Sequence, residues 1–469
     1  MRIRLLGQFI HASVAVLSVT EAAMFFAAVY AAVIARFGAD LGSLGDQPDL
    51  RGALWPRALL FSAVMVTCFL AFGLYSPRQR ARFGGIALRV AVALVTGFAL
   101  TGALFYLIPA LWVGRGVVAL AAVGGLGGVA LSRLVFSRIV DQSRFKRRVL
   151  VYGAGETAAA LTELRRRADR RGFEVVGFVP APDRERSVSS GRILDPGGSL
   201  VDLCRRFDVP EVVVAMDDRR RGFPLAELLQ CRLAGICVTE LMTFLERETG
   251  RVRLDLINPS WMIFGEGFRH DPLRRVSSRM LDFAASLLVL ALALPVMLLT
   301  VLAIKAEDGW RAPVFYRQRR VGLGGQLFHV LKFRSMRTDA EQDGRPQWAQ
   351  RRDPRITRVG AFIRKARIDE LPQVLNVLRG QMSLVGPRPE RPEFVADLAE
   401  RIPYYSERHS VRPGITGWAQ LCYPYGSSEH DALEKLQYDL YYVKNGTLLF
   451  DLAILLQTVE VVILGNGAH

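Results

Sequence analysis

The segment RIDELPQVLN, residues 367 to 376, sets two acids side by side, Asp369 and Glu370, just before Pro372. Consecutive side chains on a helix diverge by about 100°, so the pair does not share a helix face. A helix start accounts for all three residue types, because Asp caps well, Glu suits the first turn, and Pro needs no partner there. Chemistry offers a second account. Two carboxylates ~4 Å apart repel by about 1 kcal/mol in water and about 4 kcal/mol at an effective dielectric of 20, so a buried pair requires cations or a shared proton. Guanidinium groups supply such charge, and so does Mg²⁺, which takes one or two carboxylates together with waters and substrate phosphates. Divergent neighbours then divide the labour, one acid facing phosphorus and the other a metal ion.

The surrounding sequence is rich in cations. FYRQRRVG (315 to 322) and LKFRSMRTD (331 to 339) contribute Arg317, Arg319, Arg320, Lys332, Arg334 and Arg337. Arg364, Lys365 and Arg367 precede the acids, and SLVGPRPERPEF holds Arg388 between Pro387 and Pro389, whose fixed φ angles stiffen its backbone. Any one cluster reads as a solvated face. Several around one acid pair point to a phosphate-rich substrate.

The elements that must position these residues are membrane-bound. Of 469 residues, 51% are hydrophobic, and a mean hydropathy of +0.22 is too high for an ordinary soluble enzyme. Apolar blocks at 12 to 35, 55 to 75, 86 to 108 and 113 to 132 are each near the ~20 residues that cross a bilayer. Basic residues flank one side (Arg2, Arg4; Arg78, Arg80, Arg82; Arg138, Arg144, Lys146, Arg147, Arg148), whereas the 37 to 54 loop carries Asp40, Asp46 and Asp49 against Arg51. The positive-inside rule places the N-terminus and everything after 137 in the cytoplasm. Glu21, the one acid within a span, is expected to hydrogen-bond between helices or to sit at a lipid edge, ahead of relaying protons. The net charge of +17 favours anionic lipid and phosphate-bearing substrates. No nucleic-acid motif is present, and Cys68, Cys204, Cys231, Cys237 and Cys422 form no C-x-x-C pair, which fits a reducing compartment.

From 146 to 250 short β-rich runs alternate with helical stretches, as in a parallel Rossmann-like sheet. Gly153, Gly155 and Ala158 have the G-x-G-x-x-A spacing that admits a phosphate to a helix N-terminus. The ribose-binding acid is missing at Pro180, with Asp183 late in the loop, so a structural or regulatory domain is favoured over a dinucleotide site. Asp217 and Asp218 are expected to be a solvated strand end.

The fifth apolar block, 283 to 304, is basic on both flanks: Arg274, Arg275 and Arg279 before it, Lys305, Arg311, Arg317, Arg319 and Arg320 after. A crossing helix would export the second flank, so a helix over 280 to 304 that breaks at Pro295 and returns to the cytoplasmic side is expected. The stretch 447 to 464 is interrupted by Asp451, Gln457 and Glu460 and suits an interfacial or docked helix.

From about 279 to 464 the sequence resembles the bacterial sugar transferases, the monotopic polyprenyl-phosphate phosphoglycosyl transferases. The resemblance rests on Arg279 and Asp282, Ser286 and Pro295, FYRQRRVG, KFRSM, RIDELPQVLN, VGPRPE, VRPGITGWAQ (411 to 420) and YDLYYVKN (438 to 445). The whole looks like the long form that begins exopolysaccharide or O-antigen assembly. This implies a bacterial inner-membrane, multi-pass protein with four N-terminal transmembrane helices (1–137), an α/β Rossmann-like middle domain (146–250) and a mainly α catalytic domain (274–469) with a re-entrant helix, on the cytoplasmic face. It also implies that Asp369 attacks the sugar-linked phosphate of a UDP-hexose, releasing UMP, and that undecaprenyl phosphate then takes the phosphosugar. Glu370 would bind Mg²⁺ and Arg388 phosphate. Lys332, Arg334, Arg319, Arg367, Asp439 and Tyr442 would serve phosphate, fold support or uridine, and Ser286 and Pro295 the break in the membrane helix. Expected partners are the UDP-hexose, undecaprenyl phosphate and inner-membrane lipid, with a homodimer left open and nucleic acid excluded.

Two other readings stand beside this one. A sugar-nucleotide dehydratase or epimerase needs Tyr-x-x-x-Lys, yet between 149 and 250 the only tyrosine is Tyr152 and there is no lysine. A non-catalytic scaffold in a polysaccharide assembly complex follows if the acid pair is only a cap.

Overall fold

The computed structural model describes residues 2–5, 8–38, 53–75, 83–139, 146–164, 169, 172–181, 187–195, 197–218, 222–257, 272–337, 355–423, 426 and 428–463. The orienting residues Asp40, Asp46, Asp49, Arg51, Arg78, Arg80, Arg82 and Arg144 lie outside this set, as does Asp183. The chain divides into two compact units, Met1–Thr249 and Gly250–His469.

The first unit opens with a hairpin, β1 (Arg2–Leu5) and β2 (Gln8–His11), then four apolar helices: α1 (Ala12–Phe37), α2 (Trp55–Ala71), α3 (Phe83–Leu107) and α4 (Arg115–Ile139). α1, α3 and α4 are long and apolar enough to cross a bilayer, and α2, at 17 residues, stands at the short end of the range. Phe25 packs edge-on to Phe61 and Phe69 in the bundle core. Glu21, wholly buried, accepts from the Tyr75 hydroxyl at 2.6 Å and from Arg133 Nε at 2.8 Å. The acid therefore ties helices together, which offsets the cost of burying it among apolar spans.

The middle region is a four-stranded parallel sheet in the order β4-β3-β5-β6, built from β3 (Arg147–Tyr152), β4 (Phe173–Val179), β5 (Glu211–Val214) and β6 (Cys237–Glu240). Its central strands read VLVY and VVV because helices cover both faces of a parallel sheet, here α6 (Leu200–Arg206), α7 (Leu225–Leu233) and α8 (Leu241–Thr249). The phosphate cradle suggested by Gly153 and Gly155 is filled from within. Asp217 accepts from the backbone N–H of Glu156 at 3.0 Å and of Thr157 at 2.7 Å, and a Cβ on Gly155 would stand 1.6 Å from its carboxylate. Asp217 is thus exposed, as expected of a strand end, but it also caps the short helix α5 (Glu156–Ala159) where a ligand phosphate would otherwise meet the N–H groups.

The second unit begins earlier than 274. Trp418 Nε1 donates to the Gly250 carbonyl at 2.8 Å, Val252 N to Gln437 O at 3.0 Å, and Arg251 pairs with Glu434 at 2.7 Å. The expected helix over 280 to 304 with a break at Pro295 is corrected: one helix, α9 (Pro272–Asp308), continues through Pro295. Proline there forfeits one backbone hydrogen bond and bends a helix without ending it. At its start Arg279 donates to the carbonyls of Val377 (2.6 Å) and Leu378 (2.8 Å), and Asp282 accepts from Ser383 Oγ and Leu384 N, both at 2.9 Å. At its far end Ile304 is buried with Phe333 and Ile363, and Glu307 accepts from Arg358 N and Val359 N. Between these anchors Leu288, Leu292 and Leu299 are exposed, as in a helix that meets lipid.

Beyond α9, strands β7 (Phe315–Val321) and β8 (Leu327–Phe333) form an antiparallel hairpin with Tyr316 opposite Lys332. Its turn uses Gly324 and Gly325 at φ 61° and 79°. Helices α10 (Arg358–Lys365) and α11 (Gln373–Leu378) follow, then β9 (Ser383–Val385), which pairs in parallel with β10 (Gly414–Thr416). Helices α12 (Pro392–Arg401), α13 (Trp418–Cys422), α14 (Glu429–Asn445) and α15 (Leu448–Ile463) complete a mainly helical unit. Asp451 of α15 is buried and accepts from Tyr442 Oη at 2.8 Å, so this helix is docked on the unit.

Candidate active site

The site forms where three segments meet: the β7–β8 hairpin, the turn between α10 and α11, and the proline-flanked stretch after β9. α10 ends at Ala366, and Arg367 then adopts a left-handed conformation, φ 58°, which costs a non-glycine residue roughly 1–2 kcal/mol. That reversal throws Ile368–Glu370 into a single 3₁₀ turn ahead of α11. Asp369 and Glu370 therefore precede the helix instead of capping it, which corrects the helix-start account: Pro372 is the cap position of α11, and neither acid bonds to its N–H groups. Strain of this kind persists where surrounding contacts hold it, and it clusters at functional sites.

The two acids have different surroundings. Glu370 Oε1 accepts from Arg388 Nη2 at 2.9 Å and from Lys332 Nζ at 3.3 Å. Although burial alone would raise it, Arg388 and Lys332 hold the Glu370 carboxyl far below the ordinary carboxylate range. Asp369 is buried, and its Oδ1 has no hydrogen-bond partner. Burial first, and then the neighbouring Glu370 charge, raise the Asp369 pKa, while Lys332, Arg364 and Arg367 pull it down. Burial also lowers the Lys332 pKa, with Glu370 opposing. One acid is locked and ionised, and the other is desolvated and unengaged. That is the state expected of a nucleophile kept ready beside fixed positive charge.

Arg388 is positioned through its backbone. Its carbonyl accepts from Arg408 Nη2 at 3.0 Å, and the Pro389 carbonyl accepts from Arg320 Nη1 at 3.0 Å. Arg408 is in turn paired with the buried Asp439 at 2.7 Å and bonded to Tyr405 Oη at 2.7 Å. Burial pushes the Asp439 carboxyl up to about 6, against the pull of Arg408. Beneath this stretch Gly386 and Gly414 bring two backbones together: a Cβ on Gly414 would lie 2.1 Å from Gly386 N.

Of the residues singled out from the sequence, Asp369, Glu370, Lys332 and Arg388 converge. Arg367 is exposed but close enough to bias both acids. Arg334 presents a buried Nη1 without a partner, and so does Arg364, which acts on the Asp369 carboxyl. Arg319 lies opposite His329 on the other face of the hairpin, whereas Arg320 shares the inner face with Lys332. Strand alternation from Lys332 across the register would have selected Arg320 and not Arg319. Asp439 and Tyr442 lie within the unit, Asp439 on Arg408, and Tyr442 on the carbonyl of Val385 at 3.2 Å as well as on Asp451. Ser286 is buried on α9 with its Oγ unpartnered. No cluster of three or more His, Cys, Asp or Glu occurs among the described residues. Glu370 nonetheless fits Mg²⁺, which needs few carboxylates when a substrate brings phosphates, because Lys332 and Arg388 both bond its Oε1.

Residues 273–465 match the bacterial sugar transferase family, and 70–221 match a CoA-binding domain. The chain is 31% identical over 372 residues to a UDP-glucose:undecaprenyl-phosphate glucose-1-phosphate transferase of Xanthomonas campestris pv. campestris, covering 74% of this chain and 73% of that protein. It belongs to the bacterial sugar transferase family. Other members are similar over less of this chain. A UDP-N-acetylgalactosamine-undecaprenyl-phosphate N-acetylgalactosaminephosphotransferase of Aeromonas hydrophila is 42% identical over 242 residues, 52% of this chain and 56% of that protein. A UDP-glucose:undecaprenyl-phosphate glucose-1-phosphate transferase of Caulobacter vibrioides is 44% identical over 204 residues, 42% of this chain and 75% of that protein. With apolar helices and an α/β region ahead of the sugar transferase domain, the chain has the long-form phosphoglycosyl transferase layout.

The buried Arg408–Asp439 pair yields a prediction. Asp439→Ala leaves an uncompensated buried guanidinium and should lower the unfolding free energy by roughly 3–5 kcal/mol, with the double variant Asp439→Leu/Arg408→Met recovering much of that loss. Thermal unfolding in detergent measures both, and equal losses in the single and double variants would contradict the pairing.

Proposed function

We propose that this sugar transferase moves a hexose-1-phosphate from a UDP-sugar to undecaprenyl phosphate, on the cytoplasmic face of the bacterial inner membrane, and so initiates exopolysaccharide or O-antigen assembly. The observation that carries the proposal is the asymmetry of the acid pair: Glu370 locked between Lys332 and Arg388, Asp369 buried with a free oxygen. An Asp369 oxygen attacks the sugar-linked phosphorus, forming an acyl-phosphate ester as the diphosphate bridge breaks and UMP leaves. A phosphate oxygen of undecaprenyl phosphate then attacks the same phosphorus, the bond to Asp369 breaks, and the carboxylate is restored. Arg388, Lys332, Arg334 and Arg364 hold phosphate oxygens and offset the charge that shifts during transfer. Glu370 would hold Mg²⁺, which when bound neutralises charge on the diphosphate. The relatives' different sugars keep glucose and N-acetylgalactosamine as candidates for the cargo.

Membrane re-entry of α9 belongs to the same proposal. Straight, the 26 residues from Arg279 to Ile304 would extend ~37 Å at 1.5 Å per residue, enough to cross. Yet residues near both ends of the helix contact the one transferase unit, and both flanks are basic. A bend at Pro295 satisfies these constraints together, and it brings a half-buried domain to headgroup level.

With UDP-sugar and undecaprenyl phosphate supplied, wild-type protein should release UMP and Asp369→Asn should release none above background; turnover in that variant at the wild-type rate would refute the nucleophile. For topology, single cysteines at the exposed positions Val276→Cys and Trp310→Cys should both react with a membrane-impermeant thiol reagent from the cytoplasmic face, whereas labelling from opposite faces would show a helix that crosses.

A further inference from the structure

On the hairpin face opposite Lys332 lies a cavity of about 300 Å³, lined by Arg317, His329, Arg379 and Gln381 above the apolar Leu327 and Leu331. Strand alternation separates it from the acid pair, so a group held there would not contend for Glu370. Its walls are tied together by one wholly buried side chain. Asn376 accepts from Leu331 N at 3.0 Å and donates to His329 O at 2.7 Å and to Gln381 Oε1 at 2.8 Å. The hairpin wall and the turn after α11 are therefore held in fixed register.

The lining contains two guanidinium groups and no carboxylate. Planar guanidinium forks suit phosphate oxygens, which they bind bidentately. The size stands at the low end for small-molecule sites, right for a headgroup and too small for a sugar nucleotide. The depth is fixed by α9. Arg279 caps the carbonyls of Val377 and Leu378, immediately before Arg379, and the continuous apolar block of α9 starts four residues after Arg279, at Phe283. Arg379 thus lies level with the point where α9 leaves water for lipid, the depth at which basic pockets take anionic headgroups.

We infer that this cavity binds the phosphate headgroup of an anionic phospholipid, at a site separate from the transfer centre. Arg317 and Arg379 hold the phosphate, Gln381 and His329 bond to the headgroup's polar atoms, and Leu327 and Leu331 face the start of the acyl chains. The assignment does not depend on the transfer reaction.

The test uses the full chain, reconstituted in phosphatidylcholine with phosphatidylglycerol, re-extracted in mild detergent and weighed by native mass spectrometry. Wild type should retain phosphatidylglycerol. Arg317→Gln/Arg379→Gln should retain about tenfold less, the expected scale for losing charge-assisted phosphate contacts. Gln381→Glu keeps the acceptor for Asn376 but adds a negative charge, so it should also lose the lipid while its melting temperature stays at the wild-type value. Retention equal to wild type in both variants overturns the site. Binding of inorganic phosphate, lost in the same variants, without phosphatidylglycerol retention overturns the lipid assignment in favour of a soluble anion.

Discussion

The transferase unit depends on one carboxylate shared by two cations. Glu370 joins Lys332 of β8 to Arg388 of the proline-flanked stretch, so one carboxylate bridges segments that are distant in sequence. Remove the acid and two buried or half-buried cations repel across the site; remove either cation and Glu370 burdens Asp369 with an unbalanced neighbour. Because the pairing is largely desolvated, the Coulomb energies are several times their value in water. The same balance leaves Asp369 as the acid without a partner, so the charge that steadies the site also defines which oxygen is available.

Much of the remaining structure serves that geometry. Arg408, held in place by its pairing with Asp439, grips the backbone of Arg388, and Arg320 grips the carbonyl of the next residue, Pro389. Close backbone contact at Gly386 and Gly414 allows β9 and β10 to pair beneath that stretch. Arg279 and Asp282 fasten the start of α9 to α11 and β9, which connects the chemistry to the membrane helix. In the middle region the same physics acts in the opposite sense: Asp217 supplies from within the negative charge that a helix N-terminus attracts.

The acid pair, the proline-flanked arginine, the hairpin cations and the apolar spans were legible because residue type alone carries their signal. What stayed hidden depends on direction. Arg319 and Arg320 are equivalent as letters, and only the register opposite Lys332 separates them. Arg367 gives no sign of its left-handed φ, since arginine is not a residue that favours it, so the turn that detaches Asp369 and Glu370 from α11 has no signature in residue type. For Asp439 and Tyr442 residue type alone leaves phosphate, uridine and fold support open, and the structure places both in buried pairs, with Arg408 and Asp451. Pro295 suggests a break by residue type, yet α9 continues through it as one helix.

The most direct measurement is to incubate the purified full-length protein with a UDP-sugar and no undecaprenyl phosphate, quench in acid, and map the digest by peptide mass spectrometry. A hexose-phosphate adduct on the peptide bearing Asp369, discharged when undecaprenyl phosphate is added, is the predicted result. UMP formation that needs the lipid acceptor from the first turnover, with Asp369 unmodified throughout, would contradict the account.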